Sequence, residues 1–240
     1  MIRRHLALDR LWRGSYIGVC ILLAACPGHP PPLAPAGLQP ADRDSAVAFA
    51  AATVPRHAAA LTFKWKYRDE RQSGSGRGMA RLAAPDSLRI DWRAVLGMAS
   101  GAAMLVGDTV KWVDPPRDSI PPVPQGVAVA WAALGVVRPP VEGARVLTLV
   151  INGGRAVVWR FASDADTLDY KMTEGPPRTL EAEWRQRGKQ LVRIRTVLDP
   201  QARPASARID SPQKSARFEF TVVAVDTAPV FPAPIWRSRR

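Results

Sequence analysis

The sequence predicts a mainly β (α+β) protein built on one strongly curved, nearly closed antiparallel sheet of about ten or eleven strands, with helices covering its concave side. Three observations lead there. From Leu61 onward apolar and polar residues alternate with period two, the pattern of half-buried strands. Short turn signals separate most of these runs: Gly107-Asp108, Asn152-Gly153-Gly154, Gly188 and Asp199-Pro200. Two alanine-rich stretches instead carry a helical spacing.

The first 25 residues read as a secretory signal peptide. Arg3, Arg4, Arg10 and Arg13 form a basic leader, residues from about Tyr16 to Ala25 are apolar, and small residues precede Cys26. The apolar run is shorter than the roughly 20 residues a membrane-spanning helix needs. Leu23-Ala24-Ala25-Cys26 resembles the bacterial lipobox, and that resemblance implies cleavage before Cys26 and lipidation of its thiol and amino group. Stable anchoring takes more than one chain, and a triacylated cysteine supplies three. A plain export signal with an ordinary cysteine and an uncleaved anchor are the alternatives. Pro27 follows the cysteine where some bacteria place an Asp for inner-membrane retention, so in a cell using that rule the resemblance implies the outer membrane.

Residues 26–41 are proline-rich and poor in large apolar side chains, so they are expected to form an extended tether. The domain proper is expected over 42–236. Asp42-Arg43-Asp44-Ser45 looks like a helix start, Ala46–Val54 like a short helix, and Pro55 like its stop. Strands are expected at Leu61–Tyr67, Met79–Ala83, Ser87–Trp92, Ala103–Val113, Arg145–Ile151, Ala156–Phe161, Leu168–Met172, Leu180–Gln186, Leu191–Leu198, Ser206–Ile209 and Ala216–Val225. Gly74-Ser75-Gly76-Arg77-Gly78 lacks the Lys-Ser/Thr of a phosphate loop and is expected to be a flexible hairpin turn. The stretch from Gln125 to Val137 interrupts the strands. Val127, Trp131 and Leu134 share one face of a helix there, suited to covering the sheet as core packing or as a movable lid.

Composition narrows the function. The net charge is +13, and without the leader's four Arg and one Asp it is +10. Export argues against a nucleic-acid partner. The basic residues are mostly interleaved with apolar ones, as on solvated strand faces, which leaves a plain surface or a role near anionic headgroups open. Cys20 falls in the leader and Cys26 is assigned to lipid, so no disulfide or zinc site is expected. Only His29 and His57 follow the leader, and no Gly-x-Ser-x-Gly motif is present. Asp108, Asp114 and Asp118 lie near loops without forming a recognisable acid/base pair. The chain is therefore expected not to be an enzyme, to use no cofactor and to be a monomer. Phe63, Trp65, Trp92, Trp112, Trp159, Phe161 and Trp184 sit in strands at inward parity. They either fill a solid core or line an apolar cavity of the kind that suits acyl chains.

A lipobox, tether, first helix, three strands, loop and further strands, over roughly Ala46–Val225, resemble the LolA/LolB superfamily of lipoprotein carriers and receptors. The resemblance implies a half-open antiparallel β-barrel with helices plugging the open side, and acyl chains of lipoproteins held inside. Ala94-Val95-Leu96-Gly97-Met98, after the strand ending at Trp92, is similar to the protruding Pro-Leu-Gly loop of LolB-like members. Leu96 stands at the leucine and Val95 replaces the proline, so Val95 and Leu96 are implied to contact the bilayer. The resemblance further implies an anchored outer-membrane lipoprotein on the periplasmic face. It would receive acylated cargo, with a soluble LolA-like carrier as the implied donor, and pass it to the membrane. Two alternatives share the fold: an envelope sensor or partner-binding module without lipid transfer, and a binder of lipids or glycolipids.

Overall fold

A computed structural model describes residues 31–83, 85–95, 99–114, 126–227 and 229–236. Cys26 and the leader lie outside these residues. Residues 32–240 form one compact unit by themselves, and it contains every described core residue.

The unit's described residues form one antiparallel sheet of thirteen strands. In chain order they are β1 (Gln39–Pro40), β2 (Ala59–Arg68), β3 (Ser73–Ala83), β4 (Ser87–Ala94), β5 (Ser100–Val106), β6 (Thr109–Asp114), β7 (Arg145–Ile151), β8 (Ala156–Ser163), β9 (Asp166–Thr173), β10 (Arg178–Gln186), β11 (Lys189–Leu198), β12 (Pro204–Ser211) and β13 (Ala216–Asp226). Among the described residues two α-helices accompany them, α1 (Arg43–Thr53) and α2 (Val127–Ala133). Across the sheet the order is β1-β7-β8-β9-β10-β11-β12-β13-β2-β3-β4-β5-β6. Two meanders, β2–β6 and β7–β13, are thus joined by pairing of β13 with β2. The edge strands β1 and β6 do not pair, so the sheet is not closed, and a half-open barrel describes it.

The strand number exceeds the expected ten or eleven for two reasons. The run from Ala103 to Val113 is two strands folded back at Gly107-Asp108, where Gly107 takes φ +58°. A further strand, β1, lies inside the expected tether. It has two residues, and its proline is tolerated because β1 is an edge. The expected tether therefore ends sooner: Leu33 and Ala34 are buried, and Ala41 N donates to Val146 O at 3.1 Å.

The glycine run from Gly74 to Gly78 also departs from expectation. It is paired strand within β3, not a turn. In register, Trp65 faces Gly76 and Phe63 faces Gly78, while Trp92 of β4 faces Gly101 of β5. A Cβ on Gly76 would stand 2.8 Å from the Trp65 indole, and one on Gly78 or Gly101 would overlap the Phe63 or Trp92 ring. The rings lie flat over the neighbouring backbone, and only glycine leaves them room.

α1 begins at Asp42, whose carboxylate accepts from Ser45 N at 2.9 Å as an N-cap. That bond holds the Asp42 carboxyl below its ordinary pKa. Ala46 and Ala50, one turn apart, bury the helix against the sheet. α2 and the strap that follows it plug the concave face: Val129, Trp131, Ala132, Ala133, Leu134, Val136 and Val137 are all buried. Hydrogen bonds pin this plug on several sides. Thr196 Oγ1 of β11 donates to Ala132 O at 2.8 Å, and Trp131 Nε1 donates to Gly107 O at 3.2 Å. Val137 N donates to Thr53 Oγ1 of α1 at 2.8 Å, and Arg138 N to the Tyr170 hydroxyl at 3.3 Å. Burial pushes the Tyr170 hydroxyl above its ordinary pKa.

Candidate functional site

Beneath the start of α2 lies a cavity of about 280 Å³. Its floor is Phe161 of β8, Leu168 of β9 and Trp184 of β10, which stand side by side in register. Its roof is Gly126, Val127, Ala128 and Val129, and its flank is Pro139, Pro140, Val141 and Ala144. The hairpin between β8 and β9 adds Ser163 and Asp166, and Asp108 and Arg138 complete the lining.

The charged groups at this cavity already have partners. Arg138 Nε lies 2.9 Å from Asp108 Oδ1, and its guanidinium sits 5.5 Å from the Trp131 ring centroid. Asp166 Oδ1 accepts from Trp184 Nε1 at 3.3 Å and from Gln186 Nε2 at 3.2 Å. What remains for a ligand is chiefly aliphatic and aromatic surface. Such a wall binds by removing apolar surface from water and offers few convergent polar groups for recognition by hydrogen bonding. The volume lies near the lower end of small-molecule sites.

The residues expected from the sequence distribute as follows. Phe161 and Trp184 line the cavity, and Phe161 also packs edge-on against Tyr170. Val127 lines it from the roof, whereas Trp131 and Leu134 are buried in the plug. Phe63 and Trp65 belong to a separate aromatic group with Phe220 and Phe218 on β13. Trp92 lies over Gly101, and Trp159 stacks on Phe49 of α1 at 5.6 Å. These four pack into walls and do not line this cavity. Trp112 stands opposite Met104 in register, and its side chain lies outside the described residues, as does Leu96. Val95 directly follows β4 and is 55% exposed, and Ala94 N donates to Ala99 O at 2.7 Å across the base of the loop. Leu168, Pro139 and Pro140 escaped the sequence reading. Leu168 was legible through its inward parity. The prolines reach the cavity only through the strap, which no local pattern positions.

Among the described residues, no group of three or more His, Cys, Asp or Glu stands close enough to hold a metal ion, and no helix is long and apolar enough to cross a membrane. Asp108, one of the three acids named near loops from the sequence, is taken up by Arg138.

No protein-family model and no curated protein matches the sequence. Solved structures do match the fold. A domain named as an outer membrane lipoprotein-sorting protein from Vibrio parahaemolyticus aligns over 80% of this chain and 94% of its own, with 9% identity and a TM-score of 0.53. The chain has the fold of this domain. A LolA superfamily protein from Nitrosomonas europaea aligns over 82% of this chain and 98% of its own, with 11% identity and a TM-score of 0.46. MucB, in its Pseudomonas aeruginosa complex with MucA, aligns over 83% of this chain and 62% of its own, with 11% identity and a TM-score of 0.34. At these identities the likeness to these structures concerns the fold.

Proposed function

We propose that this chain is a membrane-anchored periplasmic lipoprotein that holds an acyl chain, from a lipoprotein or a lipid, in the cavity beneath α2 and helps deliver it to the outer membrane. The observation that carries the reading is the cavity itself. It is walled by Phe161, Leu168, Trp184, Val127 and the Pro139-Pro140 strap, and its charged residues already have partners within the protein. A LolA/LolB-like fold with such a pocket supports carriage of a hydrocarbon chain. Transfer of this kind needs no covalent step, so the reading assigns no catalytic residue and no cofactor.

In this reading Cys26 is the lipid anchor and residues up to about Pro32 give reach. The segment beyond is docked on the domain through Leu33, Ala34 and β1. Val95 and Leu96 are assigned to the bilayer contact. The test is uptake of a fluorescent fatty-acid probe by the unit 32–240, compared with Ala144→Phe, which places a ring in the cavity from its flank. Saturable uptake lost in Ala144→Phe supports the reading, and uptake equal in both proteins refutes this pocket as the binding site.

A further inference from the structure

The convex face of β2–β4 is far more cationic than the rest of the sheet. β2 carries Lys64, Lys66 and Arg68, β3 carries Arg77 and Arg81, and β4 carries Arg89 and Arg93, against a single acid, Asp91. All eight side chains belong to one face, because they alternate with the core residues Phe63, Tyr67, Ala80 and Leu88. β9–β12 are different. There Asp169, Glu181, Glu183 and Asp210 balance the basic residues, and ion pairs such as Arg193–Glu181 and Arg208–Asp210 cross the face, with Arg160 of the neighbouring β8 paired to Asp169.

Within β2–β4, Asp91 is shared by Arg81 and Arg89. The next rung places Lys64, Arg77 and Arg93 directly beside one another across the three strands. All three are exposed, and they make no ion pair among the described residues. Like charges on adjacent strands disfavour pairing, so this rung weakens the sheet that carries it. Two residues past Arg93 the chain presents Val95, 55% exposed at a loop closed by Ala94 and Ala99.

We propose that this face docks on an anionic bilayer surface, with the Lys64–Arg77–Arg93 rung against headgroup phosphates and Val95, just past β4, at the interface. A row of cations without ion pairs among the described residues, beside the exposed Val95 side chain, complements a layer of phosphates over hydrocarbon. Each cation near an anionic membrane contributes a roughly fivefold gain in partition, and salt screens it. The proposal orients the molecule on the membrane and is independent of what the cavity holds.

The experiment is flotation of the unit 32–240 with phosphatidylglycerol–phosphatidylcholine vesicles and with pure phosphatidylcholine vesicles. We expect binding to the anionic vesicles alone, weakened by salt. The triple variant Lys64→Glu/Arg77→Glu/Arg93→Glu should bind about 100-fold more weakly or worse. Lys189→Glu/Arg195→Glu/Lys214→Glu makes the same charge change at exposed positions elsewhere and should retain most of the binding. Equal losses in the two triples would show that net charge alone governs binding and would overturn the proposal. So would equal binding to neutral and anionic vesicles, or no vesicle binding at all, as expected if the face serves an acidic protein. Circular dichroism excludes misfolding, and probe uptake in the same samples reports the cavity separately.

Discussion

Phe63 of β2 and Gly78 of β3 face each other in register, and the phenyl ring fills the space that a Gly78 side chain would need. Trp65 with Gly76 and Trp92 with Gly101 repeat the arrangement on either side. Flat rings over bare backbone make this wall of the half-barrel thin and solid, and they explain why the open volume lies elsewhere, between β8–β10 and α2.

Gly78→Ala should therefore destabilise the domain by about 1–3 kcal/mol through overpacking. Phe63→Leu should recover part of the loss in the double variant, because it removes the ring the new methyl meets. Chemical denaturation of the four proteins gives the coupling. Strict additivity would contradict the contact.

The pair Arg160–Asp169 makes a second prediction. Asp169 is fully buried, and its two oxygens accept from Arg160 at 2.6 and 2.8 Å. Arg160→Ala leaves a buried carboxylate without its main partner and should cost about 3 kcal/mol. Arg160→Met/Asp169→Leu removes both charges and should cost less than the single change, as read by denaturation midpoints.

At the β2–β3 turn, Tyr67 Oη donates to Asp69 Oδ2 at 2.5 Å, and the backbone amides of Arg71 and Gln72 donate to Oδ1. The Tyr67 hydroxyl, first, and then these amides hold the Asp69 carboxyl below its ordinary pKa. A depressed carboxylate stabilises the fold above its unfolded pKa, near 3.9, and that contribution fades as pH falls through the folded value. Asp69→Asn should accordingly be less stable than the parent at neutral pH and show a shallower decline below about pH 4. Parallel stability–pH curves would refute it.

The plug is held by single hydrogen bonds that can be cut without changing shape. Thr196→Val removes the donor to Ala132 O and should cost about 1 kcal/mol. It should also raise amide exchange through 127–137 more than in β9–β12. Equal protection in both proteins would mean that packing alone holds α2.

Much of this architecture was legible in the sequence, for identifiable reasons. Alternation placed β7–β13 closely, because each strand buries one face and wets the other. α1 was legible from Asp42 and Pro55. β1 was not, since a two-residue edge strand containing proline has no period to read. The glycine run of β3 looked like a turn because its partners, Trp65 and Phe63, lie on another strand, and only pairing shows what the missing side chains make room for. The cavity was half legible. Parity pointed Phe161 and Trp184 inward, but it could not separate them from Phe63 and Trp92, whose rings lie flat. That distinction depends on the residue across the strand.

Cys26→Ala should abolish palmitate labelling of the expressed chain, and persistent labelling would refute the lipobox assignment. Leu96→Glu should leave probe uptake intact while impairing delivery of acylated cargo to membranes. Equal loss of folding and delivery would instead make Leu96 a packing residue.

The central claim is that the cavity beneath α2 holds a hydrocarbon chain. Native mass spectrometry of the unit 32–240, purified from an envelope extract, tests it most directly. The account predicts a co-purified lipid or acylated peptide, displaced by fatty acid and absent from Ala144→Phe. A clean ligand-free mass, with no uptake of a fatty-acid probe, would contradict it.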